Sequence, residues 1–261
     1  MRAWLALTLA SLAAAACTPM AAEQPDHRRK TEALSPIIPD MPRQRIALMS
    51  SLPLVYGAGV DMEGVIAGKA DPHPLHQALA AGHDLVLPDA LDARTLEGVR
   101  LAILVQPRAL APGEFVALDT FVRTGGRLLL FVDPMLEWPR GASLVDPQGP
   151  VRSSLMSPLL KHWGIELLNP GIESRRGGKS GALLVHPGQF GVLPGKSGDA
   201  QCRVDDDGLS ARCRVGAGRV ILVADADLLD PEILRNTDES GRATRRFVHD
   251  LLTELGQEGG G

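Results

Sequence analysis

Aromatic side chains are scarce in this chain: five Phe, three Trp and one Tyr in 261 residues. Surfaces that hold sugars or bases by stacking need aromatic platforms, and nine rings supply few of them. Positive charge is not in excess either. Twenty-seven Lys and Arg stand against 31 Asp and Glu, a net charge of −4. No overall basic field exists to draw in nucleic acid, so no nucleic-acid partner is expected. After the first twenty residues no apolar run reaches the roughly 18–20 residues that a membrane-spanning helix requires. Disorder is disfavoured too, because 44% hydrophobic and 22% charged residues are ordinary for a globular domain. Cysteine is both rare and odd in number, with three in all.

The N-terminus accounts for one of those cysteines. Arg2 precedes a mainly apolar stretch over 3–16, AWLALTLASLAAAA, too short to span a membrane and suited to the core of a secretory signal. The small residues Ala14, Ala15 and Ala16 then lead to Cys17, a pattern that resembles a bacterial lipobox, with Ala14 where Leu is usual. Two readings follow: a signal peptide over 1–16 with lipidation of Cys17, or ordinary cleavage after Ala16 or Ala22. Under the first, Cys202 and Cys213 remain as an even pair, as an oxidising compartment favours. Residues 17–43 carry several prolines, mixed charge and no period, and read as a tether. The domain is expected over 44–255, with a disordered tail over 256–261.

Within that domain apolar strands alternate with amphipathic helices. QRIALMS (44–50) reads as a strand, HPLHQALAAG (73–82) as a helix stopped by Gly82, and HDLVLPDAL (83–91) as a strand ended by Pro88. The clearest unit spans 100–135. Leu101–Val105 is an all-apolar strand, Pro112 opens a helix, Gly125 and Gly126 close it, and Leu128–Val132 is the next strand. Such a βαβ unit implies a right-handed crossover. Residues 136–152 form a Pro/Gly-rich excursion. SSLMSPLLKHWG (153–164) has Leu155, Leu159 and Trp163 at helical spacing. Asp207-Gly208 marks a hairpin turn flanked by Cys202 and Cys213, which face each other across the arms and predict a cross-strand disulfide. RVILVADADLL (219–229) is the last strong strand, and the terminal helix turns Phe247, Leu251, Leu252 and Leu255 inward. The fold class is therefore α/β: a mostly parallel sheet covered by helices on both faces, with a β-hairpin insertion near 200–215.

Catalytic motifs fail on inspection. Gly178-Lys179-Ser180 and Gly195-Lys196-Ser197 lack the upstream glycine of a phosphate loop, having Glu173 and Phe190 there. No G-x-S-x-G elbow is present. The seven histidines are scattered and read as solvent-exposed, and no cofactor or metal ligand set is expected. What remains is a row of polar residues at the carboxyl ends of strands: Ser50, Ser51, Gln106, Asp133, Asp225 and Asp227. Ligands of open α/β sheets bind at that edge. The competing reading is that such residues cap the next turn.

ALAPGEFVALDTFVRTGGRLLLFVDPM, SPLLKHWGIEL and GRVILVADADLL, in that order, resemble segments of the GldG-like, gliding-motility-type auxiliary family of ABC transporters. The resemblance covers about residues 44–255 and is weakest in the middle. It implies a class I glutamine-amidotransferase-like α/β domain without catalytic residues, acting outside the cytoplasm. It also implies an ABC permease or another envelope protein as partner. Many members carry transmembrane helices, whereas this chain offers only a signal and a lipobox, so membrane attachment is expected through the lipid on Cys17. The functional expectation is an exported, periplasmic, lipid-anchored, non-enzymatic accessory protein. A metal-dependent hydrolase built on Asp133, Asp225 and Asp227 is the alternative. A two-lobed solute-binding protein is disfavoured by the single compact sheet.

Overall fold

The computed structural model describes residues 36–60, 62–139, 149–171, 175–176, 181–195 and 200–257. These all lie in the unit Leu34–Gly261. The signal segment, Cys17 and both Gly-Lys-Ser motifs lie wholly or partly outside the described residues.

In chain order the elements are β1 (Arg45–Ser50), α1 (Met62–Ile66), α2 (Pro74–Gly82), β2 (Asp84–Val86), β3 (Leu101–Val105), α3 (Pro112–Arg123) and β4 (Arg127–Phe131). They continue as α4 (Ser157–His162), β5 (Ile165–Leu168), β6 (Arg175–Arg176), β7 (Leu183–Leu184), β8 (Gln189–Val192), β9 (Ala200–Val204), β10 (Ser210–Val215) and β11 (Gly218–Val223). A short 3₁₀ turn (Asp227–Leu229), α5 (Pro231–Arg235) and α6 (Glu239–Gly256) complete the fold. Seven strands form one sheet in the order β2-β1-β3-β4-β11-β10-β9. The first five run parallel, and β10 and β9 are antiparallel. β5 with β8 and β6 with β7 make two small antiparallel pairs.

Strands buried on both faces explain the continuous apolar runs. Side chains alternate across a strand, so one run feeds two cores. Ile46, Ile103, Leu129, Phe131 and Ile221 point to one face and pack under α2, α5 and α6 through Leu79, Leu234 and Leu252. Ala47, Leu104, Leu128, Leu130 and Leu222 point to the other and pack under α3 and α4 through Leu118, Val122 and Leu159. Helices on both faces are thus a direct consequence of strands without a polar side. Among the described residues no helix is long and apolar enough to cross a membrane.

Several expectations are corrected. The helix foreseen over 153–164 is only Ser157–His162, because Pro158 lacks the N–H that an interior position must donate and so sits in the first turn. Leu155 consequently lies outside the helix, 45% exposed, while Met156 is buried. The strand foreseen over 83–91 shrinks to Asp84–Val86, an edge strand that ends short of Pro88. The hairpin expected near 200–215 is present as β9 and β10. β10 pairs with β11 along its whole length, so the hairpin extends the main sheet. The packed fold also starts before residue 44, since Ile37 is buried in the core.

Cys202 and Cys213 are directly opposed in register, their Cα atoms 4.0 Å apart, and they form a disulfide. The bridge closes a span of 11 residues on the sheet's outermost strand pair. In the chain-entropy account a loop of this size is worth about 2–3 kcal/mol. The double variant Cys202→Ala/Cys213→Ala should lose about that much in urea melts. An unchanged melting midpoint would show that the bridge does not constrain the unfolded chain.

Candidate functional site

The parallel strands β1, β3, β4 and β11 end side by side, and the polar residues singled out in the sequence follow them in the same order. Ser50 and Ser51 lie at the end of β1. Gln106 follows β3, Asp133 follows β4, and Asp225 and Asp227 follow β11. The structure brings all six into one hydrogen-bonded row. The Ser50 hydroxyl donates to the carbonyl of Val105 (2.7 Å) and accepts from the Leu52 N–H (2.9 Å). The Ser51 hydroxyl donates to the Gln106 carbonyl (2.6 Å) and accepts from the Val151 N–H (3.2 Å).

Gln106 is the hub of this row. It is fully buried and has φ of +41°, a left-handed conformation uncommon outside glycine. Its side-chain amide donates to the carbonyls of Asp133 and Val151 (3.0 Å each), and its Oε1 accepts from the Asp133 N–H (2.8 Å). The amide therefore supplies the next rung between β3 and β4 after the backbone ladder has stopped.

The three aspartates behave alike. Asp133 accepts N–H bonds from Met135 (2.7 Å) and Ala226 (2.9 Å), one on each oxygen. Asp225 accepts from Leu228 (3.0 Å) and Val185 (2.8 Å). Asp227 accepts from Glu137 (2.8 Å) and Trp138 (2.5 Å). All six carboxylate oxygens thus hold a backbone N–H. The three groups also converge, with one oxygen of each within 4.8 Å of the others, and all three residues are buried. Burial, reinforced by the neighbouring Asp227 carboxylate, pushes Asp133 up to about 7. Burial and the Asp133 charge push Asp225 well above the carboxylate range, and burial raises Asp227 too. The lone pairs left over on these oxygens are where a shared proton or a cation would sit.

Beside this cluster lies a cleft of about 290 Å³ lined by Gly57, Asp71, His73, Trp138, Asp230 and Arg235, among others. Sequence reasoning missed it. His73, read there as exposed, is 2% exposed. Its Nδ1 accepts from the Leu75 N–H (3.1 Å) and so caps α2, and its Nε2–H reaches the Leu229 carbonyl (2.5 Å). Burial holds its pKa down at about 4, so the ring stays neutral. The signal was Pro74, which marks the first helical position and makes His73 the cap. His83 is buried as well, another departure from the exposed reading. At the rim, Arg235 pairs with Asp71 at 2.9 Å.

Residues 43–172 match the family described as ABC-type uncharacterized transport system. No curated protein matches the chain. Among solved structures it is similar to the mmIFT52 N-terminal domain, with 15% identity over 80% of this chain and 97% of that one, TM-score 0.48. It is also similar to Cytoplasmic Protein STM1381 from Salmonella typhimurium LT2, with 11% identity over 81% and 99%, TM-score 0.41. A ThuA-like protein from Bacteroides uniformis ATCC 8492 shares 11% identity over 79% and 97%, TM-score 0.35.

The raised carboxyl groups set a pH dependence. Between the ordinary Asp value of 3.8 and about 7 the folded state binds more protons at this cluster than the unfolded chain does. Stability should therefore fall as pH rises through that window. Glu114 works the other way. Its Arg108 hydrogen bond holds it down at about 2, so its contribution is lost as pH drops below 4.5. His73, held down at about 4, opposes the fall by adding stability as pH rises towards 6.5, alike with and without Asp225→Asn. In urea melts Asp225→Asn should therefore lose less stability than the unsubstituted protein as pH rises towards 7. An undiminished slope in that variant would mean that other groups set it.

Proposed function

We propose that the chain, whose residues 43–172 match the family described as ABC-type uncharacterized transport system, is an auxiliary protein of an ABC-type transporter that works by binding, from a lipid anchor on the periplasmic face of a bacterial membrane. The observation that carries binding over catalysis is the occupation of all six carboxylate oxygens by backbone N–H groups. Carboxylates placed to shape loops at a sheet edge serve recognition by that edge, and the adjoining cleft with its Arg235–Asp71 pair offers a polar rim to a partner. The Cys202–Cys213 disulfide supports export, because such bridges persist in oxidising compartments. Anchoring through Cys17 would raise the protein's effective concentration at the permease. The partners are the permease or another envelope protein, reached without a cofactor.

The convergence of Asp133, Asp225 and Asp227 favours one second reading, a metal-dependent hydrolase. It requires a stoichiometric divalent ion in the purified protein, lost in Asp225→Ala. Elemental analysis decides between the two readings.

The accessory reading predicts that the full chain, isolated from membranes, brings with it an ABC permease or ATPase subunit identifiable by mass spectrometry. Cys17→Ser should abolish labelling by radioactive palmitate and reduce that recovery. Recovery of no transporter subunit, with transport intact after deletion of the chain, would overturn it.

A further inference from the structure

The opposite end of the sheet carries an unassigned feature. A cleft of about 840 Å³ opens there, lined by Arg100, Arg127, Arg214 and Arg219, with Asp40 as the only acid among the described lining residues. Arg45 starts the neighbouring strand, and its carbonyl accepts from the Arg100 N–H at 3.0 Å. Five arginines from four strand starts and one strand end therefore share one edge of a chain whose net charge is −4.

Part of this cluster has a structural task. Arg127 and Arg219 donate to the Leu255 carbonyl at the C-terminal end of α6 (3.1 and 3.3 Å), where a cation suits both the open carbonyls and the helix dipole. Among the described residues the other three show none. Arg108, Arg123, Arg212 and Arg235 each pair with a carboxylate. Arg45, Arg100 and Arg214 are exposed, and no described carboxylate pairs with them.

The path of the chain says what these three face. Pro39–Pro42 line the same cleft, so the polypeptide enters the fold at this edge. Cys17 lies 22 residues before Pro39, a reach of at most about 75 Å. A tether of that kind holds the domain near a bilayer but does not orient it. We infer that the arginine edge is a membrane-docking surface for the phosphate groups of anionic lipids, and that it turns the opposite, carboxylate-bearing edge away from the bilayer. This orientation rests on the anchored reading of Cys17, whereas the lipid affinity of the edge does not.

The test uses the purified full chain carrying Cys17→Ser, so that no acyl chain contributes. Its binding is compared on vesicles of phosphatidylcholine alone and of phosphatidylcholine and phosphatidylglycerol in equal parts. The apolar segment 3–16 acts alike on both, so the difference between them reads the charge. Each arginine near an anionic surface should strengthen partitioning about five-fold. The triple variant Arg45→Gln/Arg100→Gln/Arg214→Gln should then lose roughly a hundred-fold of the preference for anionic vesicles. A control with three exposed arginines replaced elsewhere, Arg94→Gln/Arg203→Gln/Arg246→Gln, should keep it. Equal binding to both vesicles, or equal loss in the control, would overturn the proposal. So would tight calorimetric binding of inorganic phosphate without vesicle preference, which would make the cleft a soluble-anion site. Palmitate labelling reads the anchor separately, so either idea can fail alone.

Discussion

Six backbone N–H groups at one end of the sheet depend on three buried aspartates. Loops that leave parallel strands have no ladder partners, and a buried N–H left unpaired costs about 1–3 kcal/mol. Asp133, Asp225 and Asp227 satisfy these donors and in doing so tie Glu137, Trp138, Val185 and Leu228 to one place. Gln106 and Ser51 do the same for Val151, the returning end of the Pro/Gly-rich excursion. The described ends of the excursion, the 3₁₀ turn and the cleft beside them take their positions from this row. The arrangement sets three carboxyl groups close together away from water, and burial with their mutual repulsion raises the pKa of Asp133 and Asp225.

The two ends of the sheet are electrically unlike. Acids gather where the strands finish and arginines where they begin. Helices that run back against parallel strands put their N-termini at the first end and their C-termini at the second, so the side chains complement the helix dipoles. α6 shows the principle twice. Asp238 accepts from the Gly241 N–H at its start, and Arg127 and Arg219 meet its last carbonyls. Arg245, inside the same helix, reaches the Leu234 and Asn236 carbonyls at the end of α5 (2.6 and 2.7 Å). Polarity of this kind gives the domain a distinguishable top and bottom.

Much of the fold was legible because its signals are local. Leu101–Val105 and 219–229 read as strands from their apolar runs, the second ending at Val223 with Asp227–Leu229 in a 3₁₀ turn, and the cysteine pair read as a bridge from its symmetry about Asp207-Gly208. The six strand-end residues were legible as a set because the end of an apolar run marks an edge. What they do there was not, since acceptance of an N–H from Val185 by Asp225 spans 40 residues. His73 was misjudged for the same reason: the Trp138 ring that shields it, 5.5 Å away between centroids, lies far along the chain. The arginine edge was invisible because Arg45, Arg100, Arg127, Arg214 and Arg219 each look like a lone surface residue until strand order assembles them. Two local signals were passed over: Pro74, which marks His73 as the cap of α2, and Pro158, which cost the helix foreseen over 153–164 its first turn.

The margins of the sheet carry a consequence for assembly. On one side the last strand is the three-residue β2. On the other it is β9, held to its neighbour by a covalent bridge and showing the exposed charge of Arg203. Neither margin offers a long, flat, apolar row of free amides of the kind that recruits another chain's strand. Growth by strand addition is thereby discouraged at both sides, and the protein is left to meet its partners through the ends of its strands and the backs of its helices. Neighbouring copies are in this way kept from fusing edge to edge.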